Sequence, residues 1–193
     1  PAQVRDSLGE AVVAAALLSS TLKYDGLLSL QLRGEGPMHL MLVECTDGLA
    51  MRAVARFRDP PDTRDLRLLS GNGTLTVTVE SGDATNRYQG IVPLAGDSMG
   101  DCLRAYFEHS EQLPTRLWLR ADGHSASGLL LQRLPVTARP RGVTESGPGG
   151  VSEEEIEDAW RRVQLVADTV TAELSVEAPS LEERFMEIVR RDA

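Results

Sequence analysis

A chain of 193 residues can bury one substantial core but is short for two ordinary domains, and with 41% hydrophobic and only 4% aromatic residues that core must be aliphatic. The net charge of -9 is uneven: residues 1–150 hold 17 acids against 15 bases, whereas residues 151–193 hold 12 against 5, so no basic stripe exists to bind nucleic acid and the acidic surplus reads as a solubility device. The longest mostly apolar stretch, Ala11 to Leu18, is far short of the roughly 20 residues that span a bilayer, and two cysteines cannot make a disulfide framework or a metal clip.

In chain order, Val4, Leu8, Val12, Ala15, Leu18 and Leu22 recur every three or four residues, the stripe of a helix that faces a core. Gly26 is placed to stop it in a left-handed conformation. Leu28, Leu30 and Leu32 alternate with Ser29, Gln31 and Arg33, and similar period-two segments run from Met38 to Cys45 and from Leu49 to Phe57. Their short connections, Gly34-Glu35-Gly36-Pro37 and Thr46-Asp47-Gly48, predict antiparallel hairpins.

Asp59-Pro60-Pro61 breaks the third strand, and Thr63 to Leu69 suits a short helical turn. Gly71-Asn72-Gly73 reads as a further hairpin turn before Thr74 to Glu80, and Arg87 to Leu94 forms the return strand. Asp97-Ser98 can cap a helix that buries Met99, Leu103 and Tyr106 or Phe107 and ends near Pro114. Strands over 116–120 and 128–134 complete an α+β domain, 1–136, with helices packed on a mostly antiparallel sheet.

Residues 137–151 are rich in Pro, Gly, Arg and Ser and predict a flexible linker. The remainder, 152–193, predicts an acidic, amphipathic helical region. Ser152 with Glu155 is a capping box, and Ile156, Trp160, Val163, Ala167, Val170 and Leu174 form a heptad-like seam. Ser180 with Glu183 repeats the capping box before a second amphipathic helix carrying Leu181, Phe185, Ile188 and Val189.

Candidate chemistry is sparse. His39, His109 and His124 lie in separate elements and never at the spacing that brings two imidazoles to one metal. Cys45 and Cys102 fall in apolar patterns that mark packed, unreactive thiols, and Asp101, Glu108 and Glu111 read as one solvated helix face. No catalytic, cofactor-binding or metal-binding residue is assigned, and the chain is not expected to be an enzyme. The amphipathic tail is the exception: Ile156, Trp160, Val163, Val170, Phe185 and Ile188 are candidate contacts for exposed apolar segments of other proteins.

Four segments carry a resemblance. Gly34-Glu35-Gly36-Pro37-Met38, then GNGTLTVTVE from Gly71, RYQGIVPLAGD from Arg87 and YFEHSEQLPTRLWL from Tyr106, in this order and at these spacings, resemble the heat shock protein 33 family of bacterial redox-regulated holdase chaperones. The likeness runs from the Ala-rich helix before Lys23-Tyr24-Asp25-Gly26 to the acidic helices after Ser152. It implies a compact α+β core, a metastable helical linker and a carboxy-terminal switch in which four thiolates hold zinc until oxidation forms disulfides, releases the metal and promotes homodimerisation.

The Cys-x-Cys and Cys-x-x-Cys of that switch are missing from these residues, so zinc is expected in a domain outside this chain and no cofactor within it. Family members also carry a strand and a helix upstream. By the same resemblance the partners are unfolded or partly unfolded proteins and a second copy of the chain, with neither nucleic acid nor membrane, and the place of action is the cytoplasm. No P-loop motif suggests an ATP-driven cycle, and no basic leader precedes an apolar centre in the manner of a secretory signal. The alternative functions are a dimerisation or scaffold module and a small-ligand-binding domain.

Overall fold

The computed structural model describes residues 1–22, 24–82, 86–134, 152–173 and 185–191. Period-two alternation resolves as expected into β1 (Gly26–Arg33), β2 (Met38–Thr46), β3 (Met51–Phe57), β4 (Thr74–Ser81) and β5 (Arg87–Val92). One face is deeply buried: Leu28, Leu30 and Leu32 of β1, Met41 and Val43 of β2, Ala53 and Ala55 of β3, Leu75 and Val77 of β4. These five strands pair antiparallel, and β8 (Phe185–Arg191) adds to the free edge of β3 in parallel, giving the order β5-β4-β1-β2-β3-β8.

That last strand corrects the expected second tail helix. The backbone of residues 185–191 pairs Phe185 with Met51 through to Arg191 with Phe57. An edge strand offers a row of unsatisfied N–H and C=O groups, and Ile188-Val189 is a β-branched pair that suits a strand better than a helix. The capping box at 180–183, the linker at 137–151 and Leu174 lie outside the described residues.

Helix α1 (Ala2–Thr21) covers the buried face of the sheet. Its other side packs on a second sheet, the hairpin of β6 (Thr115–Ala121) and β7 (Ala126–Gln132), beside α3 (Met99–His109). The single stripe expected of α1 is therefore incomplete: Ala11 and Ala14 are as buried as Val4, Leu8, Ala15 and Leu18, whereas Leu22 lies past the end and is exposed. Small residues make the double contact possible. A Cβ on Gly9 would stand 2.7 Å from the Ala121 Cβ, and one on Gly128 only 2.6 Å from Val13 Cγ1.

The stop of α1 is also corrected. The helix ends at Thr21 with Leu22 already extended. Gly26, with φ of 148°, instead opens β1 where any side chain would meet the Glu80 carbonyl at 2.1 Å.

The two glycine-bearing turns meet each other. Asp65 caps the short helix α2 (Leu66–Ser70) by accepting from the Arg67 and Leu68 N–H groups, and Gly71, at φ 63°, ends it. Gly71-Asn72-Gly73 is thus a helix stop rather than a hairpin. It lies against the β1–β2 turn, where the Gly36 N–H donates to the Ser70 carbonyl at 2.9 Å. A Cβ on Gly34 would fall 1.9 Å from that carbonyl oxygen, and one on Gly36 2.4 Å from the Gly71 nitrogen. The family-like motifs from Arg87 and Tyr106 also converge: the Tyr106 ring occupies the space a Gly90 side chain would need, and Tyr88 and Tyr106 both donate to Glu111 Oε1 at 2.6 Å. Glu111 lies beyond the end of α3, so it is not on the helix face expected for it.

Two acids on α1 face the interior. Asp6 is buried, with Oδ2 accepting from Arg64 at 2.5 Å. One turn on, burial pushes the Glu10 carboxyl up to about 7, against a partial pull downward from Arg64 and a further push from Asp6.

Two outcomes follow. Gly34→Ala forces a backbone clash and should cost about 1–3 kcal/mol in denaturant unfolding, whereas Gly48→Ala, whose Cβ would approach nothing closer than 3.8 Å, should leave the midpoint unchanged. Because the folded Glu10 carboxyl binds its proton more tightly than the unfolded one, the stability of the native sequence relative to Glu10→Gln should decline as pH rises from 4.5 and level off above about 7. Urea titrations of both proteins along that pH range check it.

Candidate functional site

The site is a helix attached by its polar groups. Helix α4 (Glu153–Glu173) starts at the predicted capping box: the Ser152 N–H donates to Glu155 Oε2 at 2.7 Å and the Glu155 N–H to Ser152 Oγ at 3.2 Å. The Ser152 N–H, and after it the Ser152 hydroxyl, hold the Glu155 carboxyl below its ordinary range. The helix packs on β7, on the side of the hairpin away from α1.

Side-chain hydrogen bonds fasten α4 to the body of the protein. Arg133, just past β7, donates to Glu157 at 2.8 Å; Arg116 of β6 donates to Gln164 at 2.9 Å; and the Trp118 indole N–H of β6 donates to Asp168 at 2.7 Å. Arg116 is braced in turn by Glu108 of α3. Arg116 and Trp118 stand two residues apart on β6 and so share one face of the strand, which lets both reach α4.

The apolar positions divide. Ala167 is 4% exposed, and Ile156 and Trp160 are half-buried. Val163, Leu165, Val166 and Val170 remain 44–65% exposed. The expected seam is thus rotated: Ile156, Trp160, Gln164 and Ala167 turn inward, while Val163 and Val170 turn outward with Val166, which the heptad reading did not single out. Phe185 and Ile188 belong to β8, a strand, and not to the helix expected for them. Four of the six candidates therefore lie together on α4 and two lie in a strand at the far sheet edge.

Sequence reasoning passed over a second feature. A cavity of about 520 Å³ lies between α1, the start of α3, the β6–β7 hairpin and α4, lined among others by Glu10, Arg64, Asp101, Arg120 and Asp168. Each group comes from a different element, so no local motif could reveal the cavity.

Neither cysteine fits a zinc site. The Cys45 and Cys102 thiols are buried, contact backbone carbonyls of Thr46 and Gly96, and are pushed above the usual thiol range chiefly by desolvation. Among the described residues no three His, Cys, Asp or Glu side chains gather as metal ligands. Among the same residues no helix is long and apolar enough to cross a membrane.

The family model described as Hsp33 protein matches residues 1–192. The chain belongs to the Hsp33 family. Curated relatives include the 33 kDa chaperonin of Ectopseudomonas mendocina, 45% identical over 189 residues, with 96% of this chain and 60% of that protein covered. The 33 kDa chaperonin of Methylobacillus flagellatus is 38% identical over 188 residues, covering 96% and 59%. The crystal structure of the 33 kDa chaperonin (heat shock protein 33 homolog) of Thermotoga maritima has the same fold, with a TM-score of 0.64 at 19% identity over 95% of this chain and 58% of that one. The chain spans about 60% of the length of these relatives. The glycine contact between the β1–β2 turn and α2, and the Tyr88–Tyr106–Glu111 cluster, give the family-like motifs their physical role: they hold the core together.

Replacing the indole donor by Trp118→Phe should loosen α4 by about 0.5–1.5 kcal/mol while leaving the core intact. Hydrogen exchange should then rise across residues 153–173 and stay unchanged in β1, β2 and β4.

Proposed function

We propose that this chain is the major part of an ATP-independent holdase that shelters unfolding polypeptides on the apolar face of α4. The observation that carries the proposal is the row Val163, Val166 and Val170, exposed on a helix whose attachment to the core is largely polar. A surface of this kind binds exposed apolar segments without reading their sequence, because burial of apolar area is non-directional. The net charge of -9 opposes self-association. Membership of the Hsp33 family, and relatives named 33 kDa chaperonin, support a chaperone role.

In this reading Ile156 and Trp160 reach a client only as α4 lifts from β7, and Val163 and Val170 are available beforehand. Phe185 and Ile188 join them when β8 leaves the edge of β3. Redox control through zinc, disulfides and homodimerisation is part of the proposal for the whole protein, acting under oxidative and heat stress in the cytoplasm. Cys45 and Cys102 take no part in it, since buried thiols pushed to high pKa are poor nucleophiles and poor ligands.

The test is light scattering of a heat-denaturing client. The chain should suppress scattering at molar excess, and Val163→Ser with Val166→Ser and Val170→Ser should abolish most of that suppression while leaving the thermal midpoint of the chain itself unchanged. Equal suppression by the triple variant sinks the proposal. The same exposed valines also suit a permanent partner helix; in that case the chain would be a constitutive dimer in solution, and the triple variant a monomer with unaltered client scattering.

A further inference from the structure

Where an edge of the large sheet meets the end of α3, two phenols and a carboxylate close on one another. The Tyr88 hydroxyl of β5 donates to Glu111 Oε1 at 2.6 Å, the Tyr106 hydroxyl of α3 donates to the same oxygen at 2.6 Å, and the two phenol oxygens also touch. Tyr106 is buried against Gly90, where a Cβ would stand 2.4 Å from its hydroxyl, and beside the Phe107 ring, whose centroid lies 5.6 Å away. Tyr88 is 51% exposed and so is reached by solutes. Gln112, next to Glu111, has φ of 54°, a left-handed conformation that a residue other than glycine holds only where its surroundings impose it. Tyr24, the third tyrosine of the chain, bonds instead to the Ser19 hydroxyl and the Cys45 carbonyl, and no carboxylate accepts from it among the described residues.

A neutral phenol gives up an electron readily only if its proton leaves as well, because the phenol radical cation is a very strong acid. The Glu111 bond holds the Tyr88 proton on above the ordinary phenol range, and burial, followed by the same carboxylate, does so for Tyr106. Both phenols are therefore neutral at neutral pH and need a proton acceptor in place. Glu111 Oε1 stands within hydrogen-bond reach of both.

We propose that Tyr88 and Tyr106 form an oxidation site, which one-electron oxidants of the nitrogen dioxide or carbonate radical class convert into a covalent dityrosine bridge between β5 and α3. One oxidant takes an electron from Tyr88 while the hydroxyl proton passes to Glu111, which is partly exposed and releases it to water. The Tyr88 radical takes a hydrogen atom from buried Tyr106 across their contact, which frees Tyr88 to meet a second oxidant. The two phenoxyl radicals then join through ring carbons ortho to their oxygens, and each ortho hydrogen shifts to its oxygen to restore the phenol. Two electrons have gone to two oxidant molecules and two protons to water, so the chain has lost two hydrogen atoms. The bridge ties together residues 18 positions apart and pins the edge strand β5, which is open to pairing with another chain, onto α3. It uses none of the contacts of α4.

Photo-oxidation of the folded chain by tris(bipyridyl)ruthenium with persulfate, read by peptide masses and by the blue fluorescence of dityrosine, tests the bridge. The monomer should fall in mass by two hydrogen atoms, with Tyr88 and Tyr106 in one crosslinked peptide and no bridge to Tyr24. Its thermal midpoint should rise, since a crosslink removes freedom from the unfolded chain. Glu111→Gln keeps an acceptor for the phenols but takes no proton, so its yield of bridge should fall several-fold. Tyr88→Phe, at a half-exposed position, should form none, and it decides the matter if circular dichroism shows that Glu111→Gln does not fold. Dityrosine confined to covalent dimers, a bridge that includes Tyr24, or no bridge in the native monomer overturns the proposal. An undiminished yield in folded Glu111→Gln overturns Glu111 as the proton acceptor.

Discussion

The double-sided burial of α1 is the constraint on which the rest of the structure depends. One helix covers the large sheet and simultaneously supports the β6–β7 hairpin, so each layer needs it as a floor or a ceiling. Such a helix cannot be amphipathic in the ordinary sense. Its residues must be apolar around most of the circumference and small where backbones approach, which explains the run Ala11 to Ala16 and the glycine at position 9. Placing Asp6 and Glu10 on the same helix is costly, and the shared Arg64 offsets only part of that cost.

From that arrangement follows the exposed position of α4. The hairpin has one face spent on α1 and α3 and offers the other to α4, but the contact is narrow: one alanine is deeply buried and three polar bonds do much of the fastening. A helix held in this way has a low free energy of local opening compared with the core strands, since few apolar contacts must break and water can replace each hydrogen bond. The triplet Glu153–Glu155 favours the helix as such through its dipole, independently of docking. Helix formation and helix attachment are therefore separable, a condition for an apolar surface that is presented without unfolding.

Much of the fold was legible because its contacts are local. Antiparallel hairpins keep paired strands adjacent in sequence, so alternation in Leu28, Leu30 and Leu32 and the turn at Gly34 to Pro37 were enough to place β1 and β2. The caps at Ser98 and Ser152 act within one turn and were read directly. The role of Gly71 was not legible, because a left-handed glycine ends a helix as readily as it makes a hairpin. The Val163 and Val170 positions were correctly placed on a helix but on the wrong side of it: Gln164 turns inward because Arg116, 48 residues away, supplies its partner. The tail segment 185–191 failed for a similar reason, since its helical spacing was overridden by an available sheet edge.

The sequence by itself determined the secondary elements of the core, the family, the acidic tail and the apolar content of α4, since each is written in periods, caps and charges that act over a few residues. Only the tertiary structure decided that two glycine turns lock against each other, which valines of α4 face water, that Phe185 and Ile188 sit in a strand, and that Gln164 of α4 finds its partner in Arg116. Those outcomes depend on groups far apart in the chain coming within hydrogen-bonding or van der Waals distance, and no local pattern encodes which of several possible neighbours will arrive.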